Sequence, residues 1–284
     1  TPPFFRSNGQ RVLEIDNGNN LHITIAMRIF VFEYITGGGM LGSSLPSALA
    51  EEGDMMMHAL VSDLAEIEGL EILVMRDGRL DTPELPAEIC TLHDADDLTL
   101  AWRECLDTAD AVWPIAPEYN GILEGVCEAV VRAGKLLLNS PPLAVRLAAS
   151  KFTTASTLAE HGLPVVPTYR PESGLPDIKG RWVLKPDDGA GCQGSRIFAD
   201  RDQLCRQLET MASDRDYVAQ PFVQGDPVSM CILARQGEAS LLSVNRQRIA
   251  VMDSTFVLLG CVVNGLLEGR VRYRDVSSAV TAAL

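Results

Sequence analysis

Two kinds of sequence are missing from this chain. No apolar run reaches the roughly 18 residues needed to cross a membrane, which excludes a helical membrane span. Clustered positive charge is missing too: 24 Lys and Arg face 38 Asp and Glu, for a net charge of −14. A nucleic-acid binder gathers its basic residues into a patch or stripe, so that class is excluded. The seven cysteines are odd in number and never spaced Cys-x-x-Cys. They read as reduced thiols of a cytoplasmic protein, mostly small core residues, and not as a disulfide framework. Residues 1–26 have neither the basic start nor the apolar centre of a secretory signal. They read as an irregular leader outside the fold, except for a short hairpin pairing Arg11 to Ile15 with Leu21 to Ile25 around Asn17-Gly18-Asn19.

What is present begins at Met27. The run Met-Arg-Ile-Phe-Val-Phe-Glu, ending at Glu33, predicts a strand buried on both faces of a parallel sheet. It leads into Tyr34-Ile35-Thr36-Gly37-Gly38-Gly39 and a helix start over Leu41 to Glu52. That Gly-rich turn suits either a phosphate site or close helix-on-sheet packing. A second helix is expected over Met55 to Glu68, with Met56, Leu60, Leu64 and Ile67 as its apolar stripe. Strands at Leu70 to Met75 and Ala111 to Ala116 alternate with helices at Asp94 to Ala109 and Leu123 to Ala133. The alternation over residues 27–142 predicts an open α/β domain. Ligands of such sheets lie beyond the carboxyl ends of the strands. Glu33, Tyr34, Glu118, Tyr119 and Asn120 fall there, and are candidates to grip an amino-acid or amine substrate.

The second half centres on Arg181 to Gly194. Trp182-Val183-Leu184 reads as a strand, Lys185 sits at its end, and Pro186 is expected to block further ladder pairing. Gly189, Gly191 and Gly194 leave a loop free to take positive φ, and Ser195 to Phe198 returns as a strand. Such a hairpin can fold over phosphates, with backbone N–H groups and one ammonium toward the negative charge. It is not a P-loop, because the lysine precedes the glycines. An ordinary hairpin turn is the other reading. Lys151 sits in a helix ahead of Gly162-Leu163-Pro164, and Gln220-Pro221-Phe222-Val223 follows as a strand running into Gly225. Val228 to Ala234 and Ala239 to Arg246 are expected to pair as antiparallel strands. Gln247 to Gly265 reads as loop with short apolar segments.

A helix lysine, a strand lysine before a glycine hairpin, a strand with Gln-Pro-Phe-Val, and an antiparallel meander occur here in the order that resembles the ATP-grasp superfamily. The resemblance covers about Leu143 to Leu284. It implies an α/β chain with an ATP-grasp domain over 143–284, preceded by an open α/β pre-ATP-grasp domain. Lys151 and Lys185 are then the nucleotide lysines. Gly189, Ala190, Gly191, Cys192, Gln193 and Gly194 form the lid over the phosphates. Gln220 meets adenine, the backbone of Phe222 and Val223 reads its edge, and Asp226 is the nearest acid for the ribose. Phe32 to Gly39, Trp113 to Glu118 and Leu242 to Gln247 narrow the likeness to tyramine–glutamate ligases of methanofuran biosynthesis and their bacterial relatives. That implies ATP-dependent joining of a carboxylate and an amine through an acyl phosphate, with Mg²⁺ or Mn²⁺, and allows a homodimer. Arg246 and Asn245 become candidates for steadying phosphoryl charge. The family's acidic and Asn metal ligands have no counterpart after Gly265, where only Glu268 and Asp275 are acidic. The C-terminal lobe is therefore expected to be incomplete, with no metal ligands in this chain. A catalytically silent nucleotide-binding fragment, and a different ATP-grasp ligase, are the alternatives.

Overall fold

Why β3 (Met27–Glu33) can be apolar throughout is clear from its surroundings. In the computed structural model, which describes residues 11–15, 21–25 and 27–284 apart from 95–96, 212–214, 236 and 267–269, this strand is the centre of a five-stranded sheet. Ahead of it, β1 (Arg11–Ile15) and β2 (Leu21–Ile25) form the expected antiparallel hairpin. Residues 1–10, 16–20 and 26 of the segment read as a leader, and Glu268, lie outside the described residues. The chain divides into two units, 1–117 with 121–143, and 118–120 with 144–284.

In the first unit the chain continues through α1 (Ser47–Ala65), β4 (Leu70–Asp77), β5 (Glu88–Leu92), α2 (Leu98–Thr108), β6 (Ala111–Ile115), α3 (Ile122–Arg132) and β7 (Leu136–Leu137). The strand order is β5-β4-β3-β6-β7, all parallel. Because side chains alternate across a strand, Ile29 and Val31 pack with Met57 and Val61 of α1. Phe30 and Phe32 turn to the other face and meet Trp102 of α2, at ring-centroid distances of 5.1 and 4.5 Å.

The helices expected separately over Leu41 to Glu52 and Met55 to Glu68 are one helix. Its start is set by Pro46 in extended conformation. Gly53 does not end it; a Cβ there would lie 2.5 Å from a Glu33 carboxylate oxygen, so the glycine lets the helix cross close to the sheet. The buried stripe is Ala50, Gly53, Met57, Val61 and Leu64. Of the expected stripe, Leu64 is buried and Leu60 packs at the core's edge, but Met56 and Ile67 are 42% and 52% exposed and Met57, 1% exposed, takes the core position. The triple Met run carries no phase information of its own, which is why the residues alone misplace it.

The second unit contains α4 (Pro142–Ala149, at its junction), α5 (Lys151–Glu160), β8 (Trp182–Pro186), β9 (Arg196–Phe198), α6 (Arg201–Thr210), β10 (Tyr217–Pro221), β11 (Val228–Arg235), β12 (Glu238–Met252), β13 (Thr255–Val262) and α7 (Arg270–Ala283). Its sheet runs β10-β8-β9-β13-β12-β11, antiparallel throughout. Trp182, Leu184, Phe198, Leu204 and Ala219 form the core under α6. Pro186 does not stop the ladder ahead of itself: it is the last residue of β8, opposite Tyr217.

The segment Gln247 to Gly265 is not a loop. β12 continues to Met252, turns through Asp253 and Ser254, and returns as β13. Both turn residues have positive φ, 48° and 64°, the pair of left-handed positions that a two-residue hairpin needs. Asp-Ser fills them in place of the Asn-Gly that would announce the turn. A register shift between Arg248 and Ile249 further breaks the period-2 pattern.

Met57→Ala is expected to cost about 2–5 kcal/mol of stability and Met56→Ala under about 0.5 kcal/mol. Urea midpoints of the two variants check this; equal losses would refute the assigned stripe.

Candidate nucleotide site

The end of β8 and the start of α5 are tied together by one carboxylate. Asp187, 6% exposed, accepts from the backbone N–H of Phe152 at 2.8 Å and from Ser150 Oγ at 2.8 Å. Ser150 in turn caps α5, its Oγ accepting from Thr153 N–H at 3.0 Å. Arg170 adds a contact to Asp187 at 3.2 Å and lies over the Phe152 ring at 4.7 Å. This knot brings Lys151, first residue of α5, to the root of the glycine loop. Its Nζ donates to the carbonyls of Asp187, Asp188 and Gly189 at 3.3, 3.1 and 2.9 Å.

Lys185 comes from β8 two residues before Asp187. Its Nζ donates to Gln220 Oε1 at 2.7 Å, and Gln220 Nε2 donates to Thr168 Oγ1 at 2.8 Å. Burial holds both lysines below their ordinary pKa of 10.5, and for Lys185 the nearby Lys151 charge acts in the same direction. Asp188 is held below its ordinary value by its hydrogen bond with Arg215, at 2.8 Å.

Between them the loop takes left-handed backbone at Gly189, Gly191, Cys192 and Gly194, with φ of 88°, 66°, 64° and 68°. A Cβ at Gly194 would press on Pro186 at 3.0 Å, whereas the space at Gly191 is open. Phe222 closes the other wall. Its N–H donates to the Arg181 carbonyl at 2.8 Å, the Arg181 guanidinium sits 4.1 Å over its ring, and Phe256 stacks beyond at 6.4 Å. The result is a cleft of about 910 Å³ within the second unit, large enough for a nucleotide-sized ligand.

Of the residues singled out from sequence, Lys151, Lys185, Gly189, Ala190, Gly191, Cys192, Gln193, Gln220, Phe222, Val223 and Asp226 line this one cleft. Gly194 shapes the loop without lining it. Asn245 and Arg246 do not line it either: Asn245 Oδ1 accepts from Asn264 N–H at 3.2 Å, and Arg246 is exposed on β12. Glu118, Tyr119 and Asn120 are also absent from its lining. In the first unit, Glu33 is buried and engaged by its own loop, accepting from Ile35 N–H, Thr36 N–H and Thr36 Oγ1 at 3.1, 2.6 and 2.7 Å. Burial raises its pKa above the ordinary carboxylate value. Tyr34 covers Gly39, where a Cβ would fall 2.5 Å from the ring, and a Cβ on Gly38 would fall 2.8 Å from Leu92. The Gly37 to Gly39 turn is thus filled by packed side chains, which favours the packing reading over a phosphate cradle.

Thr168, Arg181, Asp187 and Phe256 were not singled out from sequence. Phe256 lay in the segment read as loop. Thr168 reaches Gln220 only through the backbone bridge Tyr169–Ala219. Asp187, between Lys185 and the glycines, was the one within reach of inspection. Among the described residues, no three His, Cys, Asp or Glu side chains form a metal-binding group. No helix among them is long and apolar enough to cross a membrane.

The pre ATP-grasp 3 domain family matches residues 70–145, and the ATP-grasp domain family matches residues 148–284. The chain belongs to the ATP-grasp superfamily. It is 24% identical over 224 residues to the tyramine–L-glutamate ligase of Methanocaldococcus fervens, a match over 78% of this chain and 67% of the relative. Its fold is similar to an ATP-grasp superfamily protein of Archaeoglobus fulgidus, with TM-score 0.62, 21% identity, and coverage of 90% of this chain and 71% of the other. It is also similar to the biotin carboxylase domain of 2-oxoglutarate carboxylase from Hydrogenobacter thermophilus, solved with MgADP, with TM-score 0.64, 16% identity, and coverage of 90% and 57%. The ATP-grasp chain therefore combines a parallel pre-ATP-grasp sheet with an antiparallel lobe that carries the cleft.

The lowered pKa values give a pH signature to the unliganded protein. A charged, buried Lys185 costs the fold stability at pH below its folded pKa; the cost is relieved as pH rises through that value toward 10.5, its ordinary value. Urea midpoints measured between about pH 7 and pH 10 should rise less in Lys185→Met than in the parent chain. An equal rise would contradict the burial of this charge.

Proposed function

We propose that this chain binds ATP in the cleft of its second unit and uses it to join a carboxylate to an amine. The observation that carries the proposal is the convergence of two lysines and a left-handed glycine loop on one cleft, opposite an aromatic wall. ATP brings about four negative charges to an otherwise acidic protein, and Lys151, Lys185 and loop N–H groups are the donors gathered to meet them. Phe222 and Val223 would face the base, and Asp226 is near enough in sequence to serve the ribose. The 189–194 loop would close over the phosphates and exclude water.

In the proposed reaction a carboxylate oxygen attacks the γ-phosphorus, and the bond to the β,γ-bridging oxygen breaks to release ADP. The amine nitrogen then attacks the acyl carbon. Phosphate leaves with the bonding electrons, and the amine gives up a proton. The similarity to a tyramine–L-glutamate ligase supports glutamate and a tyramine-like amine as the pair. Glu33, Tyr34, Glu118, Tyr119 and Asn120 stay proposed substrate contacts, and Asn245 and Arg246 proposed phosphoryl contacts. Mg²⁺ would supply charge neutralisation at the phosphates when bound. A nucleotide-binding module without turnover is the second reading.

Calorimetric titration with ATP and Mg²⁺ should show binding, weakened on the order of tenfold or more by Lys151→Ala, since a charge-assisted hydrogen bond contributes about 1.5–3 kcal/mol. ADP release from glutamate plus tyramine supports the ligase; binding without release supports the module. No binding would sink both.

A further inference from the structure

A hydrogen-bond chain inside the cleft ends on Lys185. Thr168 Oγ1 donates to the Val166 carbonyl at 2.9 Å, so this hydroxyl has only lone pairs to offer Gln220. Gln220 Nε2 accordingly donates to Thr168 Oγ1 at 2.8 Å. That fixes which way the amide faces. Oε1 is turned to Lys185 and accepts from its Nζ at 2.7 Å. The backbone sets both positions. Gln220 pairs with Val183 across the β8–β10 ladder, which puts it diagonal to Lys185. Thr168 is held next to β10 by reciprocal bonds between Tyr169 and Ala219 at 2.9 and 2.8 Å.

None of these partners neutralises the ammonium. Gln220 on β10 is uncharged. Lys151 from α5 repels it, and from the loop the neighbouring group is the Cys192 thiol. Among the described residues no carboxylate lies at ion-pair distance from Lys185, in a protein with 38 of them. A neutral acceptor orients a buried ammonium yet leaves its charge in place; a carboxylate would orient it and cancel it.

We propose that Thr168 and Gln220 are positioning residues for Lys185. Together they fix its ammonium in the cleft while keeping its charge available to an anionic ligand, which on the reading given above is the triphosphate of ATP. Gln220 thereby works through Lys185, in place of the adenine contact that the family resemblance implies.

The test is the titration of Lys185 in the unliganded full chain, read as the pH dependence of its acetylation by mass spectrometry, beside ATP binding by calorimetry. Gln220→Glu should move the half-point of labelling to higher pH and weaken ATP binding on the order of tenfold. Thr168→Val removes the acceptor that orients the amide. It should move the half-point the opposite way and weaken ATP several-fold, and Thr168→Ser should restore both. A purely structural role would lower stability in these variants without moving the Lys185 titration. Unchanged half-points in both Gln220→Glu and Thr168→Val overturn the proposal. Shifted half-points in a chain that binds no ATP uphold the positioning role and overturn the nucleotide reading alone.

Discussion

Two ammonium groups brought into one partly desolvated cleft are the constraint on which the second unit depends. Like charges in a shared low-dielectric space repel, and neither lysine can be fully hydrated there. The fold answers each differently. Lys151 is held by three successive carbonyls at the root of the glycine loop. Lys185 is held by a neutral amide oxygen. The carboxylate that organises the region, Asp187, is occupied with the N-terminus of α5, Ser150 and Arg170. It fixes the geometry around the lysines without forming an ion pair with either.

The same arrangement links the lysines to the loop. Lys151 donates to the carbonyls of residues 187–189, so its ammonium is tied to the first turn of the loop. The positive φ values from Gly189 to Gly194 then aim backbone N–H groups in directions that L-residues rarely supply. Cys192 occupies one of those positions at φ 64° without being glycine. That left-handed, non-glycine position stores backbone strain at the edge of the cleft.

Much of this was legible in the residues, for identifiable reasons. β3 could be read because burial on both faces leaves an unbroken apolar run. The lysine–glycine hairpin could be read because proline and glycine punctuate it. The phase of α1 could not, because Met55, Met56 and Met57 are equivalent to any periodicity count while only Met57 enters the core. The β12–β13 hairpin was missed because Asp253-Ser254 is an inconspicuous turn and a register shift interrupts the alternation. Eleven proposed nucleotide residues meet in one cleft, whereas Asn245 and Arg246 lie outside its lining. Thr168 and Arg181 owe their places to tertiary pairing, which no local pattern encodes.

The central claim is that the anionic part of a nucleotide lies between Lys151, Lys185 and the 189–194 loop. A crystal structure of the chain with a non-hydrolysable ATP analogue tests it most directly. The account predicts the triphosphate against both ammonium groups and the loop N–H groups, with the base at Phe222. An analogue bound elsewhere, with the two lysines still facing only Gln220 and the loop carbonyls, would contradict it.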